Sequence, residues 1–155
     1  MNDSVKGVCA PSSDPIEMLM GRIVEHEGIR KSAYQDSLGY WTIGCGRLID
    51  SRKSAGLSVD ETFYLLRNDI ANCKEQLKPY DWFKSQDEVR AGVLIELCFN
   101  LGLTGLLGFK KMIDALTRKN YPEAVKQLLD SRWATQIGKS RIDDITYRLG
   151  VGRYK

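Results

Sequence analysis

Between Arg30 and Asp50 the chain abandons the helical spacing of apolar residues that governs the segments on either side, and this switch limits the folds open to it. Gly39, Gly44 and Gly46 punctuate a run rich in Tyr, Trp, Thr and Ile, with Asp36-Ser37 and Leu38-Gly39 as turn-forming pairs. The pattern predicts a small antiparallel sheet of two or three strands. Ahead of it, Asp14 and Pro15 make a helix start, a capping side chain followed by a proline at the first helical position. Ile16, Leu19, Met20, Ile23 and Val24 then recur at helical spacing, and Gly28 supplies a stop. Behind the sheet segment, Ser58-Val59-Asp60-Glu61 reads as a capping box. Val59, Phe63, Leu66, Ile70, Cys73 and Leu77 continue it as one long amphipathic helix over about residues 58–77.

Pro79 ends that helix. A second, strongly apolar one carries Val93, Leu94, Leu97, Cys98 and Leu101 on one face and is broken in the Gly102 to Gly108 segment. Shorter helices fit residues 109–118, 121–131 and 139–149. One helix, a small sheet, a long connecting helix and a helical remainder predict an α+β protein with a small sheet lobe and a larger helical lobe. Residues 1–13, mixed in Ser, Gly, Pro and Asp, read as a flexible leader. A single domain follows over 14–155: a sheet lobe over about 28–57, the connecting helix over about 58–77, and a helical lobe over about 78–155 that includes the helix 14–27. With 155 residues, no staple or metal is needed to stabilise a core.

The net charge of +3 is carried by Lys and Arg interleaved with Asp and Glu, which excludes a nucleic-acid arm. No stretch reads as a membrane span, and the opening segment lacks the apolar core of a signal peptide, so residence in a cytoplasm is expected. Cys9, Cys45, Cys73 and Cys98 have no metal-site spacing and read as free thiols, Cys73 and Cys98 as core residues and Cys9 as part of the leader.

Glu27 breaks the pattern of the first helix. The apolar stripe at 16, 19, 20, 23 and 24 continues in phase to position 27, where a glutamate stands. Burial there would disfavour its charged form, as a general acid requires. The plainer reading is a glutamate at the rim of the stripe that reaches solvent from a frayed helix end. Nine residues on stands Asp36 in a turn, and six beyond it Thr42, giving E-x8-D-x5-T. Two carboxyls and a hydroxyl on a helix end and a hairpin could flank one sugar bond, an acid and a base kept apart by their environments. Asp36 is equally readable as an ordinary turn former, and Thr42 as a strand residue.

With these residues in view, the chain resembles the phage-type lysozymes of glycoside hydrolase family 24. The likeness is carried by Glu27, Asp36 and Thr42 within E-G-x-R-x-x-x-Y-x-D and G-Y-x-T-I-G-x-G, by the capping-box helix, by ELCFNLGLTGLLGF, and by Ser131-Arg132-Trp133. It spans roughly residues 16–150 and implies a lysozyme-like fold. It also implies hydrolysis of the β-1,4 bond between N-acetylmuramic acid and N-acetylglucosamine in peptidoglycan. Glu27 would protonate the leaving oxygen, and Asp36 and Thr42 would activate a water on the opposite face, with neither metal nor cofactor. The resemblance places Leu48, Phe99, Asn100, Gln127 and Arg141 against substrate. Phe99 reads otherwise as core, Leu48 as a strand residue, Gln127 as surface and Arg141 as a solvent or Asp144 partner.

The chain departs from some members where an acid before the catalytic glutamate pairs with a histidine after G-x-G. His26 and Arg47 stand there and cannot pair in that way, which puts a stabilising link in doubt. The implied role is that of an endolysin, a monomer made in an infected bacterium and released to the wall through a holin-type pore partner, without stable membrane insertion. A virion-associated module that binds or penetrates the wall is the alternative. A helical nucleic-acid binder would draw only on Lys139, Arg141, Arg148, Arg153 and Lys155, and is not expected.

Overall fold

The computed structural model describes residues 14–54 and 56–155; the leader at 1–13, with Cys9, lies outside the described residues. The chain forms two compact units, the first ending at Thr62 and the second running from Phe63 to Lys155.

In the first unit, α1 spans Pro15–Glu27. Asp14 caps it by accepting from the Ile16 N–H at 2.8 Å. The helix ends where Gly28 takes φ 69°, a left-handed conformation that costs glycine little. Strands β1 (Arg30–Gln35), β2 (Trp41–Gly44) and β3 (Arg47–Leu48) form an antiparallel sheet in the order β1-β2-β3. The register sets Tyr34 and Leu48 on either side of Thr42, with an irregularity between Arg30 and Tyr34.

The expected burial along the α1 stripe does not occur. No residue of α1 is buried, and Ile16, Leu19, Met20 and Ile23 are all exposed, as is Glu27. This unit has too little chain to enclose an apolar interior: among its described residues the buried ones are Thr42 and Asp50, both polar.

Helix α2 (Val59–Leu77) opens on the predicted capping box, with both halves present. Glu61 N–H donates to Ser58 Oγ at 3.2 Å, and Ser58 N–H donates to Glu61 Oε2 at 2.7 Å. Of its predicted stripe only Cys73 and Leu77 are buried; Val59, Phe63, Leu66 and Ile70 are exposed.

The rest of the second unit is helical: α3 (Asp81–Lys84), α4 (Glu88–Leu107), α5 (Lys110–Thr117), α6 (Tyr121–Leu129), α7 (Arg132–Gln136) and α8 (Lys139–Val151). Helices α3 and α7 carry no periodic signal in the sequence, because four or five residues are too few to display a helical period. Helix α4 is the spine of the core. Val93, Leu94, Leu97 and Cys98 are buried as predicted, Leu101 is half-buried, and Gly102 breaks the helix at φ 69° and ψ 165°. Leu77, Leu106, Met112, Leu116, Leu128, Ile145 and Leu149 close around it. Contrary to the sequence reading, α4 is long and apolar enough by composition to span a membrane, with a mean hydropathy of 1.4. Val93, Leu94, Leu97, Cys98 and Leu106 of this helix are buried in the core.

The core predicts an asymmetry in stability. Leu97→Ala should lower the unfolding free energy by about 3 kcal/mol, as a cavity-forming change in a packed interior does. Val59→Ala, on the exposed stripe, should change it by less than about 0.5 kcal/mol. Urea denaturation of the two variants checks this.

Candidate active site

The three residues singled out from sequence all fall in the first unit. Glu27 is the last residue of α1, and its side chain has no hydrogen-bond or ion-pair partner among the described residues. Its carboxyl lies over the β2–β3 turn. A Cβ added to Gly46, itself at φ 74°, would stand 3.3 Å from Glu27 Oε2, tighter than an ordinary contact. Glycine at this position therefore leaves the carboxyl its room. The adjacent Cys45 thiol donates to the Gly28 carbonyl at 3.0 Å.

Asp36 starts the β1–β2 turn and does what a turn aspartate does. Its Oδ1 accepts from the N–H groups of Leu38 at 2.8 Å and Tyr40 at 2.9 Å. The same geometry holds the carboxylate rigidly while Oδ2 accepts no hydrogen bond among the described residues. Thr42 is buried in β2, and its hydroxyl donates to the Tyr40 carbonyl at 3.2 Å. Tyr40 thus links the two, its N–H on Asp36 and its carbonyl on Thr42. The turn reading of Asp36 and the strand reading of Thr42 both hold, and both residues keep acceptor capacity for another role.

A clamp that sequence reasoning missed fixes this hairpin. The Asp50 side chain is only 3% exposed and meets the Arg52 guanidinium, Oδ1 taking Nε at 2.8 Å and Oδ2 taking Nη2 at 2.7 Å. Asp50 also accepts from the backbone N–H groups of Trp41 and Arg52, each at 3.0 Å. Arg52 Nη2 further donates to the Gly39 carbonyl at 2.9 Å. The Arg52 guanidinium, followed by the Trp41 N–H, holds the Asp50 carboxyl well below the usual carboxylate range, and Asp50 in turn keeps Arg52 charged. A D-x-R sequence in a polar loop carries no periodic signal, so only its burial identifies it.

Arg47 has a partner after all. Its guanidinium makes a two-pronged pair with Glu61, at 2.7 Å to Oε1 and 2.8 Å to Oε2. The Ser58 N–H first and Arg47 second lower the Glu61 carboxyl from its ordinary value. His26, exposed in the last turn of α1, takes no part in this pair.

The positions expected to meet substrate fall in both units. Leu48 is half-buried in β3, opposite Thr42. In the second unit Phe99 is 47% exposed, so it is not core; with Glu96 and Arg141 it lines a groove of about 430 Å³. Arg141 pairs with Glu96 Oε1 at 3.3 Å, whereas Asp144 is taken by Arg148. Asn100 is exposed and donates to the Glu96 carbonyl at 2.8 Å. Gln127 lies elsewhere, bonded to Glu123 and lining a cavity of about 600 Å³ with Phe109, Lys111 and Trp133. Among the described residues no group of three His, Cys, Asp or Glu side chains is placed to hold a metal.

Comparison with known proteins places this geometry in context. The phage lysozyme family matches residues 24–148, a span that contains Glu27, Asp36 and Thr42. "Probable T4-type lysozyme 1" of Dictyostelium discoideum is 24% identical over 137 residues, covering 71% of this chain and 81% of that protein. "Probable T4-type lysozyme 2" of the same organism is 25% identical over 140 residues, covering 73% and 82% respectively. The pre-baseplate central spike protein Gp5 of Enterobacteria phage T4 is 26% identical over 170 aligned positions, covering 92% of this chain but 29% of that protein.

The Asp50 clamp predicts a pH dependence of stability. The folded carboxyl is depressed, and unfolding returns it to a value near 3.9, so its contribution is full above that value and is lost as pH falls toward the folded one. Asp50→Asn should therefore be destabilised at neutral pH, with the gap to wild type narrowing as pH falls below about 4. Urea midpoints of both proteins from pH 7 downward check this; a constant gap would contradict it.

Proposed function

Because the chain belongs to the phage lysozyme family and is a lysozyme-type peptidoglycan hydrolase, we propose that it cleaves the β-1,4 bond between N-acetylmuramic acid and N-acetylglucosamine, with Glu27 as general acid. The observation that carries this reading is the placement of the Glu27 carboxyl, without a partner among the described residues, over the glycine turn at Gly46, in the same unit as the rigidly held Asp36. Glu27 protonates the departing glycosidic oxygen. Asp36, with Oδ1 committed to the backbone, takes a proton from the attacking water through Oδ2. Thr42 donates its hydroxyl proton to Tyr40, so its oxygen keeps lone pairs to orient that water. Since Glu27 is exposed in the free protein, the bound glycan itself has to cover the carboxyl and exclude water.

On this reading the protein acts as an endolysin, a monomer that accumulates in a host cytoplasm, gains the wall through a holin-type pore and causes lysis. Leu48, Phe99, Asn100, Gln127 and Arg141 would bind the glycan. A second reading, a wall-penetrating module of a virion, is favoured by one observation: nearly the whole chain aligns with under a third of Gp5.

Clearing of outer-membrane-stripped cells tests the chemistry. Glu27→Gln should clear them at least about 100-fold more slowly than wild type, the usual loss for a missing general acid. Equal rates would remove Glu27 from the mechanism. Mass spectrometry of the products should find reducing ends; anhydro ends would replace hydrolysis by transglycosylation.

A further inference from the structure

The geometry points to Cys45 as a positioning residue for Glu27, its thiol holding the carbonyl of Gly28, the residue that follows the glutamate. The inference rests on the proposed role of Glu27 as the acid. The Glu27 carboxyl has no side-chain partner among the described residues, so its place is set by the backbone beneath it. That backbone turns sharply at Gly28, where φ is 69° and the N–H still closes α1 on the Val24 carbonyl. The β1–β2 ladder begins only at the Arg30–Gly44 pair, two residues further on. The Gly28 carbonyl falls between helix and sheet and is taken by the Cys45 thiol, 17 residues away in sequence, at 3.0 Å. Cys45 is the only side chain in a turn whose neighbours, Gly44 and Gly46, both adopt positive φ, and Gly46 lies beside the carboxyl and leaves it room. One short turn therefore bears on the glutamate twice, through the thiol on the carbonyl of the next residue, Gly28, and through Gly46 beside its carboxylate.

A thiol is a weak donor, so its loss should move the carboxyl more than it weakens the fold. Cys45→Ala should lower kcat on soluble wall fragments by on the order of tenfold, the scale of a misplaced catalytic group, with KM within about twofold of wild type. Cys45→Ser keeps a donor at this position and should recover kcat to within about threefold. If the thiol acts through Glu27, adding Cys45→Ala to Glu27→Gln should produce no further loss, since coupled residues are not additive. Wild-type kcat in Cys45→Ala, equal losses in the alanine and serine variants, a loss confined to KM, or full additivity with Glu27→Gln would each overturn the inference. Glu27→Gln alone separates the two levels. If it clears like wild type, the acid assignment and the role of Cys45 fall together; if it is inactive while Cys45→Ala is normal, only the role of Cys45 falls.

Discussion

The buried carboxylate of Asp50 is the interaction on which the first unit depends. Among its described residues this unit has no buried apolar side chain, so nothing like the packing of a core sets its geometry. A carboxylate out of water is costly unless every lone pair is used, and Asp50 uses its oxygens on the Arg52 fork and on two backbone N–H groups. Through Trp41 it holds the start of β2, and through the Arg52 bond to the Gly39 carbonyl it holds the end of the β1–β2 turn. Tyr40, between those anchors, organises Asp36 and Thr42. The candidate chemistry therefore rests on directional hydrogen bonds.

The second unit is built on the opposite principle. Leu94, Leu97, Leu116, Leu128 and Leu149 are fully buried around α4, and the one buried charge among the described residues of this unit is matched. Arg148, almost buried, is met by Glu96 and Asp144, whose carboxylates hold its guanidinium charged against the cost of burial. Arg90 lies over the Tyr121 ring and donates to the Leu149 and Gly150 carbonyls at the end of α8. The same economy governs the C-terminal cations. Lys139 is paired with Asp143, Arg141 with Glu96, and Arg153 donates to the Tyr147 hydroxyl. Charges that look like a basic patch in the sequence are for the most part matched within their own unit.

Placing the candidate acid and base on the polar unit has a physical consequence. A packed core would fix a side chain by excluding alternatives, but Glu27 stands exposed at a helix end between turns: Gly28 follows it, Gly46 lies beside it, and Cys45 is tied to the Gly28 carbonyl. Such a site is sensitive to small backbone shifts. Arg47 and Glu61 add a strut within the same unit, joining the start of β3 to the capping box of α2.

The sequence alone determined what depends on neighbours along the chain. Both bonds of the Ser58 and Glu61 capping box, the Asp14 cap, the helix stop at Gly28, the break at Gly102 and the glycine-punctuated sheet are local events governed by backbone conformation and short-range capping. The family motif, an ordered spacing of residue types, made Glu27, Asp36 and Thr42 recognisable for the same reason. Only the tertiary structure decided what depends on burial and on long-range pairing. An apolar stripe states that a face can be buried, not that it is, and α1 and the first half of α2 remain exposed. Asp50 is an ordinary loop residue until the hairpin closes around it, Arg47 finds Glu61 14 residues away, and Cys45 finds Gly28 17 residues away. Periodicity and propensity act over a few residues, whereas these pairings require the turns to have formed first and brought the partners within hydrogen-bond reach.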